Sequence, residues 1–121
     1  MTEAGYMRDV RRKCVSLGVW RDEFERALRR LAKIYCRIDA VEEEFKASGG
    51  AAIVEHTNKA QATNLVRNPY LVEIDTLYDQ ALTYERELGL TAAALKKINE
   101  EALKTRKARD GLEAALKLLE A

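Results

Sequence analysis

The sequence predicts an all-α protein: a long helical hairpin or bundle of about four helices, with a loop or small β-hairpin near residues 50–67, and oligomeric. Three observations predict it. Trp20, Ala27, Ile34 and Val41 recur every seven residues, as do Phe24, Leu31, Ile38 and Phe45, so an apolar seam runs for nearly four heptads. The 121 residues contain one proline, so little interrupts helix formation. The Gly18, Gly49-Gly50 and Gly89 positions divide the remaining amphipathic stretches at helical lengths. A single helical domain over 1–121 is expected, with basic N-terminal helices over 3–48, a loop or hairpin over 49–67 and C-terminal helices over 68–121.

The first helix is expected over residues 3–17, ending at Gly18, because glycine accepts the left-handed backbone that follows a helix. The second begins at Trp20 as one continuous rod of about 40 Å at 1.5 Å per residue. Leu28 and Tyr35 widen its seam, and Ser48-Gly49-Gly50 stops it. Residues 51–66 break the helical pattern. They carry β-branched residues around Asn58-Lys59, which suits a loop or a short hairpin, the loop slightly preferred. Asn68-Pro69 marks a helix start, since proline at the first helical position gives up a donor that has no partner there. The third helix is expected from Pro69 to Leu88 with Tyr70, Ile74, Leu77, Ala81, Tyr84 and Leu88 inward, leaving Glu73, Asp75, Asp79, Glu85 and Glu87 mostly outward. Gly89 closes it, Leu90 packs back, and the Thr91 hydroxyl caps a fourth helix starting at Ala92. Leu95, Ile98, Ala102 and Leu103 are expected inward there. Asp110-Gly111 is a candidate interruption before a last amphipathic stretch through Leu112, Ala115, Leu116 and Leu119.

The second helix raises a burial problem. A chain this short buries only about two-thirds of the surface its unfolded form exposes, and long helices make the ratio worse. A share of the seam is therefore expected in subunit packing, through Trp20, Phe24, Leu28, Leu31, Ile34, Tyr35, Ile38 and Phe45.

Enzymatic chemistry finds no support in the sequence. No Gly-Lys-Ser/Thr phosphate loop follows Gly49-Gly50. The only histidine, His56, has no second ligand at metal spacing, and Cys14 and Cys36 are too few for a zinc site. Glu42, Glu43 and Glu44 are consecutive and point different ways from a helix, as a solvated helix end does. No catalytic residue, metal or cofactor is expected. The cysteines read as reduced, small apolar residues of a cytosolic protein. No signal peptide or apolar run of membrane length is present, and no membrane partner is expected.

Charge distribution says more than the net of +1. Residues 8–37 hold ten Lys/Arg against four Asp/Glu, residues 73–87 five acids and one Arg, and residues 96–109 six bases and two acids. Arg26, Arg30, Lys33 and Arg37 follow three- and four-residue steps along one helix face, with Arg29 beside them. Arg8, Arg11 and Arg12 add positives from the first helix. Lys104, Arg106, Lys107 and Arg109 form a second cluster. These twelve are the candidate DNA contacts, through phosphates rather than base edges. A solvated face with helix salt bridges accounts for the same pattern without DNA. The second helix is also too long for an ordinary recognition helix, which disfavours a transcriptional regulator.

Residues 68–91, Asn-Pro-Tyr-Leu followed by an acidic amphipathic helix ending Leu88-Gly89-Leu90-Thr91, resemble the C-terminal half of tailed-phage terminase small subunits. The Trp20 to Cys36 helix, Glu42-Glu43-Glu44 and the Gly49-Gly50 break match the layout upstream, so the resemblance spans roughly residues 15–100. The family usually has proline where this chain has Ala92, and either residue suits a first helical turn. The resemblance implies a non-catalytic packaging subunit. Such a subunit forms a homo-oligomeric ring, engages double-stranded viral DNA, and delivers it to a terminase large subunit carrying the ATPase and nuclease, in the bacterial host cytoplasm. The alternative is a helical protein–protein adaptor or assembly module without DNA binding.

Overall fold

The computed structural model describes residues 1–120. Helix α1 covers Glu3–Ser16, α2 Glu25–Ala47, α3 Pro69–Glu87 and α4 Ala92–Glu120, with strands β1 at Ile53–Thr57 and β2 at Thr63–Arg67. The packed body contains three of these helices. Tyr6 on α1 reaches Asp39 on α2 and Arg11 reaches Glu25, so α1 runs antiparallel to α2. Tyr35 reaches Glu85 and Glu42 meets Tyr78, so α3 also returns antiparallel along α2. The fourth helix touches this body only through its first turns, so the expected four-helix bundle is, in its packed part, a three-helix one.

The buried core is drawn from all three helices: Val10 and Cys14 of α1, Leu28, Leu31, Ala32, Ile38 and Val41 of α2, and Ile74, Ala81 and Leu88 at or near α3. Each fully buried leucine contributes about 1.5–3 kcal/mol of transfer free energy. Half-buried Trp20, Phe24, Ile34, Leu77, Tyr84, Leu95 and Ile98 pack around it.

The second helix starts later than the heptads imply. Trp20 lies in a connecting segment, Arg21 is extended (φ −140°, ψ 145°), and a 3₁₀ turn over Asp22–Phe24 precedes α2. The chain leaves α1 with Val19 N–H bonded to the Cys14 carbonyl, and the extended Arg21 then separates Trp20 from the helical residues that follow. Trp20 keeps its contact, packing edge-on against Phe24 with ring centroids 6.5 Å apart.

The ends of α1, α2 and α3 share one closure, in which the second residue past the C-cap donates back five residues: Val19 to Cys14, Gly50 to Phe45 and Leu90 to Glu85. At Gly89 the requirement is strict. Its φ is +73°, a left-handed backbone that strains any other residue, while a Cβ there would meet only the movable tip of Ile98 at 2.8 Å. Thr91 Oγ1 then accepts from Ala94 N–H at 3.2 Å and starts α4, as the Leu-Gly-Leu-Thr segment predicts.

Residues 53–67 form an antiparallel hairpin in which Val54 faces Val66 and Thr57 faces Thr63. The slight preference for a loop missed what Asn58 does. Its side-chain carbonyl accepts from both Ala60 and Ala62 N–H at 3.0 Å, and Gln61 takes φ +62°, which closes the turn. Asn68 secures the hairpin's base. Almost completely buried, it donates from Nδ2 to the Ala51 carbonyl at 2.8 Å and accepts from Tyr70 N–H at 3.0 Å, capping α3 ahead of Pro69.

The last helix departs from two expectations. Gly111 does not interrupt it, and α4 is continuous over 29 residues. One helical glycine costs only about 1 kcal/mol relative to alanine, and nothing packs near Gly111 to bend the rod there. Ala102 and Leu103 are exposed rather than inward, because by that point α4 has left the body.

Candidate nucleic-acid interface

The twelve candidate cations divide into two groups by what surrounds them. Arg11, Arg12, Arg29 and Arg37 are engaged with carboxylates of the chain itself. Arg11 donates to Glu25 and lies over the Trp20 ring at 5.2 Å, with its Nε buried and unpartnered, so it clamps α1 to the start of α2. Arg12 meets Asp9 at 2.9 Å, and Lys13 meets the same carboxylate at 3.0 Å. Hydrogen bonds from Lys13 and Arg12 hold the Asp9 carboxyl below the usual aspartate range. Arg29 approaches Glu25 at 4.0 Å, and Arg37 bonds Glu73 of α3 at 2.8 Å. Part of the basic–acidic alternation is thus consumed inside the fold, where the acidic face of α3 meets α2. At the base of the hairpin, Arg67 meets Asp75 at 2.5 Å.

Arg8, Arg26, Arg30 and Lys33 are exposed and enter no ion pair among the described residues. Arg26, Arg30 and Lys33 share one face of α2. Arg30 and Lys33 border a cleft of about 680 Å³ between α2 and α3 whose far wall includes Gln80 and Thr83. Lys104, Arg106, Lys107 and Arg109 are likewise exposed and unpaired along α4. Arg106 and Arg109 face a cleft of about 450 Å³ that they share with Arg21, Thr105 and Glu101. Sequence reasoning missed Arg21, because Asp22 and Glu23 follow it at once and mask its charge. Its place beside α4 is a tertiary fact.

The residues assigned to a seam between copies are mostly taken up within one chain. Leu28 and Leu31 are wholly buried and Ile38 nearly so, covered by α1 and α3. Trp20, Phe24, Ile34 and Tyr35 are half-buried against that core, and Phe45 is half-buried near the helix end. The surplus expected for a partner copy is therefore small along α2. The burial argument underestimated how completely two antiparallel neighbours cover one stripe.

Sequence reasoning also missed a tyrosine network that joins the helices. Tyr6 donates to Asp39 at 2.5 Å, Tyr35 to Glu85 at 2.6 Å and Tyr78 to Glu42 at 2.7 Å. The Asp39 acceptor, then burial, pushes the Tyr6 phenol up to about 12. Burial and then Glu85 push Tyr35 further up, and Glu42 raises Tyr78. Cys14 and Cys36 are both free thiols, each raised by burial. Among the described residues no three His, Cys, Asp or Glu side chains converge as metal ligands, and no helix is long and apolar enough to cross a membrane.

The arrangement is a helical body whose basic rows face solvent. Against known families, the model described as phage terminase, small subunit, matches residues 7–104. The chain belongs to the phage terminase small-subunit family. No curated protein and no solved structure matches it. The match takes in α1, α2, the hairpin, α3 and α4 as far as Lys104, so the small subunit's family character rests on its packed body. Residues 105–120, with three of the four cations in the second cluster, lie beyond it. The role of this small subunit is in phage DNA packaging.

Proposed function

We propose that the chain, working as one unit, assembles into a ring, engages double-stranded DNA and delivers it to the ATPase/nuclease large subunit in the host cytoplasm, without catalysing a reaction itself. The observation that carries DNA engagement is the row Arg26, Arg30 and Lys33. These are three exposed cations on one helix face with no carboxylate partner of their own. Desolvating them against phosphates breaks no internal bond, and each contact releases counterions from the duplex. Arg8 and the α4 cluster of Lys104, Arg106, Lys107 and Arg109 extend the surface. Arg12, Arg29 and Arg37 contribute by exchanging a carboxylate for a phosphate at small cost, since exposed pairs are worth about 0–1 kcal/mol. The exposed leucines of the α4 end, Leu112, Leu116 and Leu119, are the proposed contact with the large subunit.

The test is a titration of the protein with duplex DNA at several salt concentrations. Reversing Arg26, Arg30 and Lys33 to Glu together should weaken binding and flatten the log–log salt slope by about 2–3, near 0.9 per lost phosphate contact. Unchanged affinity and slope would remove the site and favour an adaptor without DNA binding. Light scattering should find a species several times 13.7 kDa.

A further inference from the structure

The β1–β2 hairpin stands clear of the helical body. It is tied down at its base by Asn68 and by the Arg67–Asp75 pair, and its outer face is open. An isolated two-stranded hairpin is marginal in water, and this one spends apolar surface outward, with Ile53 61% and Leu65 74% exposed. Its backbone is equally unfinished. Asn68 N–H bonds to the Ala52 carbonyl and Asn58 N–H to the Ala62 carbonyl, so even-numbered residues pair inward along this ladder. By the alternation of an antiparallel ladder, Ile53, Glu55 and Thr57 on one edge, and Thr63, Leu65 and Arg67 on the other, aim their N–H and C=O groups away from the hairpin. Proteins guard such edges with proline, charged side chains or a bulge. Neither strand holds a proline or a lysine, the register is unbroken, and the one charge on each free edge, Glu55 on β1 and Arg67 on β2, is opposite in sign to the other.

We propose that the hairpin is a joint between copies of this chain, the free edge of β1 in one copy pairing with the free edge of β2 in the next. The inference rests on the ring reading and says what closes the ring. The occupant is a second copy because each hairpin offers one β1 edge and one β2 edge, and β1 and β2 already pair side by side within the chain. In the same register the neighbours across the joint repeat contacts the hairpin already tolerates: Thr57 beside Thr63, Glu55 beside Leu65, Ile53 beside Arg67. No like charges meet. A slip of two residues, which keeps the faces in phase, sets Glu55 opposite Arg67 of the neighbour.

The order β1-β2-β1-β2 keeps every neighbouring pair antiparallel, so the joint is head-to-tail, the type of contact that makes a ring when its rotation closes. With strands about 4.8 Å apart and a rise of about 3.3 Å per residue, a two-residue stagger per copy tilts the strands by about 35°, close to the usual barrel tilt. That tilt is independent of the number of copies.

The test uses the full chain. Glu55→Pro and Leu65→Pro each remove an outward N–H, a position where an edge strand accepts proline. Either should drop the assembly seen by light scattering to monomers or short oligomers, with helical circular dichroism and melting temperature unchanged. A second measurement decides even if proline disturbs the hairpin. In a Cys36→Ser background, Glu55→Cys protein is mixed and oxidised with Leu65→Cys protein, for the unslipped register, or with Arg67→Cys protein, for the staggered one; one of the two mixtures should give covalent dimers that no protein gives alone. If the native chain assembles, while both proline variants keep its mass and neither mixture gives a dimer, the hairpin joint is wrong and the ring stands on other contacts. A native chain that stays monomeric at high concentration overturns the joint and the ring together.

Discussion

Helices α2 and α4 are both long and amphipathic and have opposite fates. Each carries rows of Lys and Arg beside an apolar stripe. Five residues of α2 are buried, from Leu28 to Val41, whereas α4 has none, and every residue from Asn99 to Glu120 is exposed. The difference lies in the neighbours. Helices α1 and α3 run antiparallel along α2, one on each side of its stripe, and no described element runs along α4. An amphipathic stripe specifies a helix and a wish for burial, and the chain's route decides whether that wish is met internally.

Leucine truncation should separate the two helices most sharply. Leu31→Ala in α2 should destabilise the fold by about 2–5 kcal/mol in denaturant titrations, through lost transfer energy and a residual cavity. Leu116→Ala in α4 should leave the monomer's stability within about 0.5 kcal/mol, as exposed substitutions do. Equal losses at both positions would mean that α4 packs on the body after all.

A smaller effect tests how α3 comes to lie along α2. Asn68→Ala removes the cap of α3 and the side-chain bond to Ala51 together, and should cost about 1–2 kcal/mol. Fraying should be confined to the hairpin base and the first turn of α3, read by amide hydrogen exchange. Uniform loss of protection throughout the body would show that the hairpin and helices unfold as one.

The smallest expected effect concerns the tyrosines that hold α2 to its neighbours. The Tyr6 phenol is raised from 10.0 to about 12, so the folded protein holds that proton more firmly than the unfolded chain. Its contribution to stability is complete below pH 10 and is lost as pH climbs from 10 to about 12. Tyr6→Phe should be slightly less stable at neutral pH and should lose less stability over that alkaline window. A decline with the same slope in both proteins would place the alkaline sensitivity elsewhere, in Tyr35 or Tyr78.

Much of the fold was legible because it is written in local periods. The heptads from Phe24 to Phe45 mark α2, Asn68-Pro69 marks the start of α3, and Leu88-Gly89-Leu90-Thr91 marks a stop, a latch and a restart. Each depends on residues within a few positions of one another. The hairpin was half legible, since the β-branched runs were visible while the closing role of Asn58 depends on where its carbonyl points. Within the candidate interface, the row of Arg26, Arg30 and Lys33 follows from helical spacing alone. Its separation from Arg11 and Arg37 does not, because Glu25 and Glu73 reach those two only after the helices have packed.

By itself the sequence determined the helices, the stops of α1, α2 and α3, the starts of α3 and α4, and the basic rows, because helical periodicity, capping and charge spacing act over three to seven residues. Only the tertiary structure decided which stripe is covered, which cations are spent on internal carboxylates, that Arg21 sits with Arg106 and Arg109, and that the hairpin keeps two free edges. Those outcomes depend on contacts between residues tens of positions apart, and no local pattern records them.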